Sequence, residues 1–443
     1  MTSTGLRTDH YELTMLEAAR QSGIAEHRCV FEVFARSLPP GRRYGVVAGT
    51  ARLADAVDRF RFDDQTCNHL AAAGVVDGAT RRWLGEYHFS GAVAAYVDGE
   101  TYFPYSPIAR VEGTFGEAVL LETLVLSILN HDSAVASAAA RISVSARDAT
   151  LIEMGGRRTH EEAAVDAARA AYIAGFHASS NLEAGRRYGV PTTGTAAHAF
   201  TLAHSSECAA FRAQIRALGP DTTLLVDTFD TETGLRNAVA AAREAGADGP
   251  GAVRIDSGNL PAEARRARAL LDGLGATRTR IVVSGDLDEY SIDALERDPN
   301  GRAPIDAYGV GTQLVTGSGH PTAGFVYKLV AIAESPGADA PLHPVEKRSI
   351  GKATRGHRKS PFRVHNDDGH AIAELLMLTD DGPDGARPLL LPIYRDRVAF
   401  ADPSLPAARA HHLRCRAELP PSALDLADGA PHLRAEFAEG SRR

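Results

Sequence analysis

The chain has 443 residues, 44% hydrophobic and 23% charged, with a formal net charge of −8. That length exceeds one ordinary domain and that composition fills a globular core, so two domains are expected. The acidic balance and the lack of a basic stripe exclude nucleic acid as a partner, although a few placed arginines can still receive a small anion.

Cys29, Cys67, Cys208 and Cys415 lie far apart with no CxxC pair, so neither a disulfide framework nor a cysteine-based zinc site is expected. The start of the chain lacks an apolar leader and no run approaches a membrane span. A cytoplasmic protein with reduced thiols and no membrane partner is expected.

In chain order, residues 10–22 carry a helical pattern with Leu13, Leu16 and Ala19 on one face. A strand over 29–35, a Pro/Gly-rich turn over 38–45, a helix over 50–60 and β-structure over 93–97 complete a mixed first part. A long apolar helix from Phe115 to about Arg141 leads into regular units. Strands are predicted over 150–154, 172–177 and 190–195, with helices over 161–171, 182–188 and 196–202.

Four apolar runs then end on small, acidic or glycine residues: Leu224–Thr228, Ala252–Gly258, Ile281–Asp286 and Ile305–Thr312. Helices near 232–244, 261–273 and 290–296 separate them. Seven candidate strands in this arrangement fit an α/β fold, an irregular (β/α) barrel, whose strand C-termini are where ligands bind. Beyond Lys328, residues 335–344 read as a linker, 346–352 as a basic polar stretch and 370–400 as strands. An Ala-, Arg- and Pro-rich tail starts at 405. The expected division is 1–115 as an N-terminal α/β domain, 116–334 as the barrel, and 335–443 folding back on the first domain.

The strand ends carry the chemistry. Gly309 and Gly311 let consecutive backbone N–H groups face a phosphate, with Thr312 adding a hydroxyl; a tight turn needs the same glycines. Ser284, Gly285 and Asp286 end the neighbouring strand, where barrels share a phosphate site. Arg254 and Asp256 are two apart on one strand and so share a face, as a ligand-facing pair or a buried ion pair. Ser257 and Gly258 follow them. His198 opens a helix after Gly194-Thr195-Ala196-Ala197, placed to act as nucleophile or proton carrier if it is not structural. Asp227 is another strand-end acid, without the second adjacent acid of a type I phosphoribosyltransferase loop.

Five segments in order resemble nicotinate phosphoribosyltransferase over about residues 6–400: Thr8–Met15, Glu153–Arg158, Gly194–His198, Arg254–Gly258 and Gly309–Thr312. The resemblance implies an irregular barrel of the type II phosphoribosyltransferase kind plus an α/β domain made from both chain ends, in a homodimer with shared active sites. It implies the joining of nicotinate to 5-phosphoribosyl 1-diphosphate in NAD salvage, with ATP hydrolysis coupled and Mg²⁺ required, through ligands not identified in the sequence. His198 resembles the histidine that ATP phosphorylates, with Asp256 the second catalytic group. Tyr11 resembles the aromatic that stacks on the pyridine ring, Thr195 and Arg254 match positions at the nicotinate carboxylate, and Arg157 matches an anion-binding arginine. Met154 stands where many relatives have an aromatic, so a thioether would cover the other ring face. His10 and Glu12 depart from the family pattern and are expected to matter little. Asn181, neutral where amide-selective relatives have an acid, favours the carboxylate substrate over nicotinamide. A quinolinate enzyme lacks the histidine, and a silent paralogue would lack these polar residues.

Overall fold

A computed structural model describes residues 3–347, 354–400 and 404–438. The chain divides into two compact units, Met1–Ser137 with His320–Arg443, and Ala138–Gly319. The expected boundaries at 116 and 334 therefore move inward. The strand Phe325–Pro336, assigned above to the barrel, pairs along its length with His27–Ala35 in the first unit.

The first unit is built on a seven-stranded antiparallel sheet. Its order is Leu342–Pro344, Phe325–Pro336, His27–Ala35, Ala109–Thr114, Ala92–Ala95, Leu391–Arg395 and Val398–Ala399. Residues 335–344 are thus no linker, because Ala331–Ala333 pair with Leu342–Pro344 as an edge hairpin. The expected basic stretch lies largely outside the described residues. Phe31 stacks on Tyr327 with centroids 4.6 Å apart, and Leu13 and Leu16 of the helix His10–Ser22 are buried in the same core. That helix starts on an Asp9 cap and stops at Gly23, whose φ of 83° a side chain would disfavour. Glu12 does matter: it is fully buried and accepts hydrogen bonds from Thr8 and from the Thr123 backbone at 2.9 Å. The apolar stretch from Phe115 is two helices, Phe115–Val119 and Glu122–Ser145, rather than one.

The second unit holds a six-stranded, wholly parallel sheet. Its order is Ala178–Ser179, Thr150–Glu153, Ala307–Val310, Arg280–Ser284, Ala252–Ile255 and Thr223–Leu225. The β-branched runs are buried on both sides, as parallel strands covered by helices require. Helices Thr231–Glu244, Leu260–Gly273 and Glu289–Glu296 follow their strands as the pattern predicts, each capped by Asp230, Asn259 or Asp288. A Cβ at Gly234 would lie 2.1 Å from the Val226 carbonyl oxygen, so only glycine lets that helix approach its strand.

Two predicted strands are absent. The alanine-rich helix continues through Tyr172 to Ile173, because nothing breaks it before Gly175, and the strand is the short Ala178–Ser179. Residues 190–195 make one isolated bridge, Ser179 to Thr192, and no strand. The helix Glu207–Leu218 was not anticipated, nor was Leu405–Ala417 in the tail. No helix among the described residues is long and apolar enough to cross a membrane.

His412, on Leu405–Ala417, is fully buried with Nδ1 3.2 Å from the Gly99 carbonyl oxygen. Burial pushes its pKa down from 6.5 to about 4. Between those values the unfolded chain binds the proton and the folded one does not, so stability falls as pH drops from 6.5 toward 4. The expected loss is on the order of 2–3 kcal/mol. Urea unfolding across that window should show it, and His412→Gln should flatten the slope; an unaltered slope in the variant would place the acid sensitivity elsewhere.

Candidate active site

The C-terminal ends of the parallel strands bring most of the predicted residues together. Arg254 projects from the third residue of Ala252–Ile255 and its Nη1 donates to Thr195 Oγ1. Its Nε is buried without a hydrogen-bond partner. No Arg254–Asp256 salt bridge forms among the described residues, so the buried ion pair considered above does not occur. Burial lowers the Arg254 pKa, the Asp256 and Asp227 carboxylates oppose that, and the nearby positive charge of Arg157 adds to the lowering. The result is a half-buried cation whose donors are incompletely used, beside an exposed second arginine. Such a place is suited to a planar carboxylate.

The acids at the strand ends are wired to one another. Asp227 Oδ2 accepts hydrogen bonds from the Asp256 backbone N–H and from Ser257 Oγ, both at 2.8 Å. Ser284 Oγ donates to Asp256 Oδ1. Asp227 Oδ1 is buried with no hydrogen-bond partner and lies 4.0 Å from His198 Nε2. The other ring nitrogen, Nδ1, is 3.1 Å from Thr228 Oγ1. The Asp227 side chain is 2% exposed and that of His198 41%, so a hidden carboxylate backs an accessible imidazole. This is the arrangement of an oriented nucleophile or proton carrier. His204 is apart from it, bonded through Nδ1 to the Phe200 carbonyl oxygen at 2.7 Å and packed on the Phe200 ring.

Glycines let the strand ends close in. A Cβ at Gly309 would sit 2.7 Å from Met154 Sδ, so Met154 lies directly against that backbone. Gly258 and Gly285 have φ of 86° and 117°, and Asp286 is held at 29°, where L-residues are strained. Gly311 leads into the short helix that begins at Thr312. Glu153, buried at the end of its strand, accepts from the Gly155 backbone N–H and from Ser179 Oγ, and burial raises its pKa. Ser179 Oγ in turn accepts from the Asn181 N–H at 2.8 Å, and Asn181 Oδ1 caps the helix Leu182–Tyr188. Glu153 thereby holds the loop that carries Met154 and Arg157 to the one that carries Asn181.

Tyr11 belongs to the other unit, on helix His10–Ser22, where it is 43% exposed. Partial burial and the adjacent Glu122 and Glu12 carboxylates push its hydroxyl pKa up.

Sequence reasoning underrated Asp227 and passed over Thr228 and Glu153. The signal for Asp227 was its place: Leu225-Val226-Asp227 ends a strand as Arg254-Ile255-Asp256 does.

Residues 6–130 match the family model for the nicotinate phosphoribosyltransferase N-terminal domain. The chain is 56% identical over 438 residues to nicotinate phosphoribosyltransferase pncB1 of Mycobacterium tuberculosis, covering 96% of this chain and 94% of that one. It is 38% identical to the nicotinate phosphoribosyltransferase of Bacillus subtilis, covering 83% and 74%. Among solved structures, human nicotinic acid phosphoribosyltransferase superimposes with a TM-score of 0.82 at 24% identity, over 97% of this chain and 98% of that one. Nicotinate-nucleotide pyrophosphorylase of Pyrococcus furiosus does so with 0.73 at 23%, over 94% and 95%. These two likenesses bear on the fold, which is that of the type II phosphoribosyltransferases. With near-complete coverage at 56% identity, the chain belongs to the nicotinate phosphoribosyltransferase family.

Proposed function

We propose that this chain joins nicotinate to 5-phosphoribosyl 1-diphosphate, giving nicotinate mononucleotide and diphosphate, with ATP hydrolysis coupled through a phosphorylated His198. The observation that carries the substrate is Arg254: a half-buried guanidinium anchored on Thr195, with its buried Nε unmatched, at the C-terminal end of the parallel strands. A carboxylate on the pyridine ring supplies a negative charge and two acceptor oxygens, whereas an amide supplies one neutral acceptor and a nitrogen that donates. The names of the relatives, at 56% and 38% identity, point the same way.

In this reading the ring nitrogen forms a bond to ribose C1 as the C1–diphosphate bond breaks, and the electron pair leaves with diphosphate. The chain's part is positioning and charge. Arg254 and Thr195 hold the carboxylate, Met154 covers one ring face, and Tyr11 of a second subunit in a homodimer covers the other. Arg157 faces the diphosphate. Backbone N–H groups of Gly309, Gly311, Gly258 and Gly285, with the hydroxyls of Thr312, Ser257 and Ser284, receive the phosphates.

Mg²⁺ would neutralise diphosphate oxygens. Asp256, whose Oδ2 carries no hydrogen bond among the described residues, and the exposed Asp286 offer the hard oxygen donors it takes. His198 accepts the γ-phosphoryl group of ATP on one ring nitrogen, and Asp227 stabilises the charge that develops on the ring. The product enters NAD synthesis by salvage in the cytoplasm.

With Mg²⁺, ATP and phosphoribosyl diphosphate, purified protein should use nicotinate on the order of 100-fold better than nicotinamide in kcat/KM. Equal use of the two would overturn the substrate assignment. His198→Ala should abolish acid-labile labelling by γ-labelled ATP together with the ATP stimulation, and labelling that persists would place the phosphoacceptor elsewhere. Asp227→Asn should slow phosphorylation by about 10–100-fold while the KM for nicotinate stays the same. A raised KM with normal labelling would show that Asp227 serves the substrate pocket instead.

A further inference from the structure

Helix Leu405–Ala417 carries His411 and Cys415 four residues apart, so both project from one face. Glu100, in the first unit like the helix, meets that face. His411 Nε2 lies 3.0 Å from Glu100 Oε2 and 3.3 Å from Cys415 Sγ. One ligand atom from each of the three residues falls within 4.8 Å of the other two. A tetrahedral ion with bonds of about 2.0 Å to nitrogen and oxygen and about 2.3 Å to sulfur spaces its ligands by roughly 3.3–3.6 Å. The two edges at His411 Nε2, 3.0 and 3.3 Å, lie slightly inside that spacing, and the third stays within 4.8 Å. Although the cysteines are too scattered for a site of several thiolates, a helix supplying one cysteine and one histidine needs no second cysteine.

The charge around Glu100 leads the same way. Its carboxylate pairs with Arg387 at 2.6 Å and lies 3.5 Å from Arg363. Arg363 also pairs with Glu374 at 2.9 Å, and Arg387 with Glu418 at 2.7 Å. Three carboxylates thus face two guanidiniums in a largely buried place, leaving one negative charge over. His365 Nε2, 3.2 Å from Glu418 Oε2, and Arg414 Nη2, 3.4 Å from His411 Nδ1, are further basic groups at its edge.

We propose that Glu100, His411 and Cys415 bind one Zn²⁺ ion. The nitrogen, oxygen and sulfur donors suit zinc among the common divalent ions. Zinc with an ionised Cys415 adds one net positive charge, which brings the five-group network to neutrality. Binding releases the thiol proton to solvent, shifts the imidazole proton from Nε2 to Nδ1, and requires the exposed Arg414 to turn away. The fourth position takes water, supplied from a cavity of about 320 Å³ that His411 lines with Asp98, Ile393, Phe400 and Ala408. The ion would tie the C-terminal helix to the loop that carries Glu100, just before Thr101–Tyr102, remote in sequence from the strand ends that hold His198 and Arg254.

The test uses the full-length protein, stripped with chelator and titrated with Co²⁺ and then Zn²⁺. One equivalent of cobalt should bind with a thiolate-to-cobalt charge-transfer band in the near ultraviolet, displaced by zinc, and zinc should raise the midpoint of thermal unfolding. Cys415→Ser should lose the band, and Cys208→Ser should keep it. His411→Gln should weaken zinc binding by at least about tenfold. Absence of the band in the unaltered protein, or its persistence in Cys415→Ser, would overturn the proposal. Should Cys415→Ser not fold, unchanged zinc affinity in folded His411→Gln overturns it equally.

Discussion

The carboxylate of Asp227 is the point on which the strand-end site depends. One oxygen fixes the chain just past the neighbouring strand by accepting from Asp256 and Ser257, and the other faces His198. Through Asp256 the same wiring reaches Ser284 on the next strand. With Oδ2 taken up by backbone and hydroxyl donors, Oδ1 is left without a hydrogen-bond partner, 4.0 Å from the imidazole. The carboxylate also sets the spacing of three strand ends, which no single helix–sheet contact could do.

Much of the second unit was legible because its periodicity is strong. Each apolar run, such as Ile281-Val282-Val283, stops on a small or acidic residue, and each following helix has its own cap. The errors fall where local pattern is ambiguous. Tyr172–His177 reads as a strand in isolation, yet Tyr172 and Ile173 complete a largely buried alanine-rich helix that ends at Ala174. Residues 190–195 alternate plausibly but find only one bridge partner. In the first unit the antiparallel pairing of residues 27–35 with 325–336 spans about three hundred positions, and no local signal carries a contact of that range.

The site shows the same division. Arg254, Thr195 and His198 were recognisable as a set, and the structure places Arg254 on Thr195 and His198 on Asp227. What the chain does not spell out is which acids pair and which remain available. Arg254 and Asp256 share a strand face and yet form no ion pair, because Asp256 is engaged by Ser284. Glu12 was dismissed as a neighbour of Tyr11, while its burial against Thr8 and Thr123 makes it a support of the helix that presents the ring.

The contact of Met154 with Gly309 has an evolutionary consequence. A Cβ at 309 would stand 2.7 Å from the thioether sulfur and 3.1 Å from the Ser284 Cβ, so a side chain there requires the flexible end of Met154 to move aside. A shorter residue at 154 would ease that contact, whereas an aromatic would press on the same glycine. Substitutions at the two positions are therefore coupled, because the room at 309 depends on the side chain at 154.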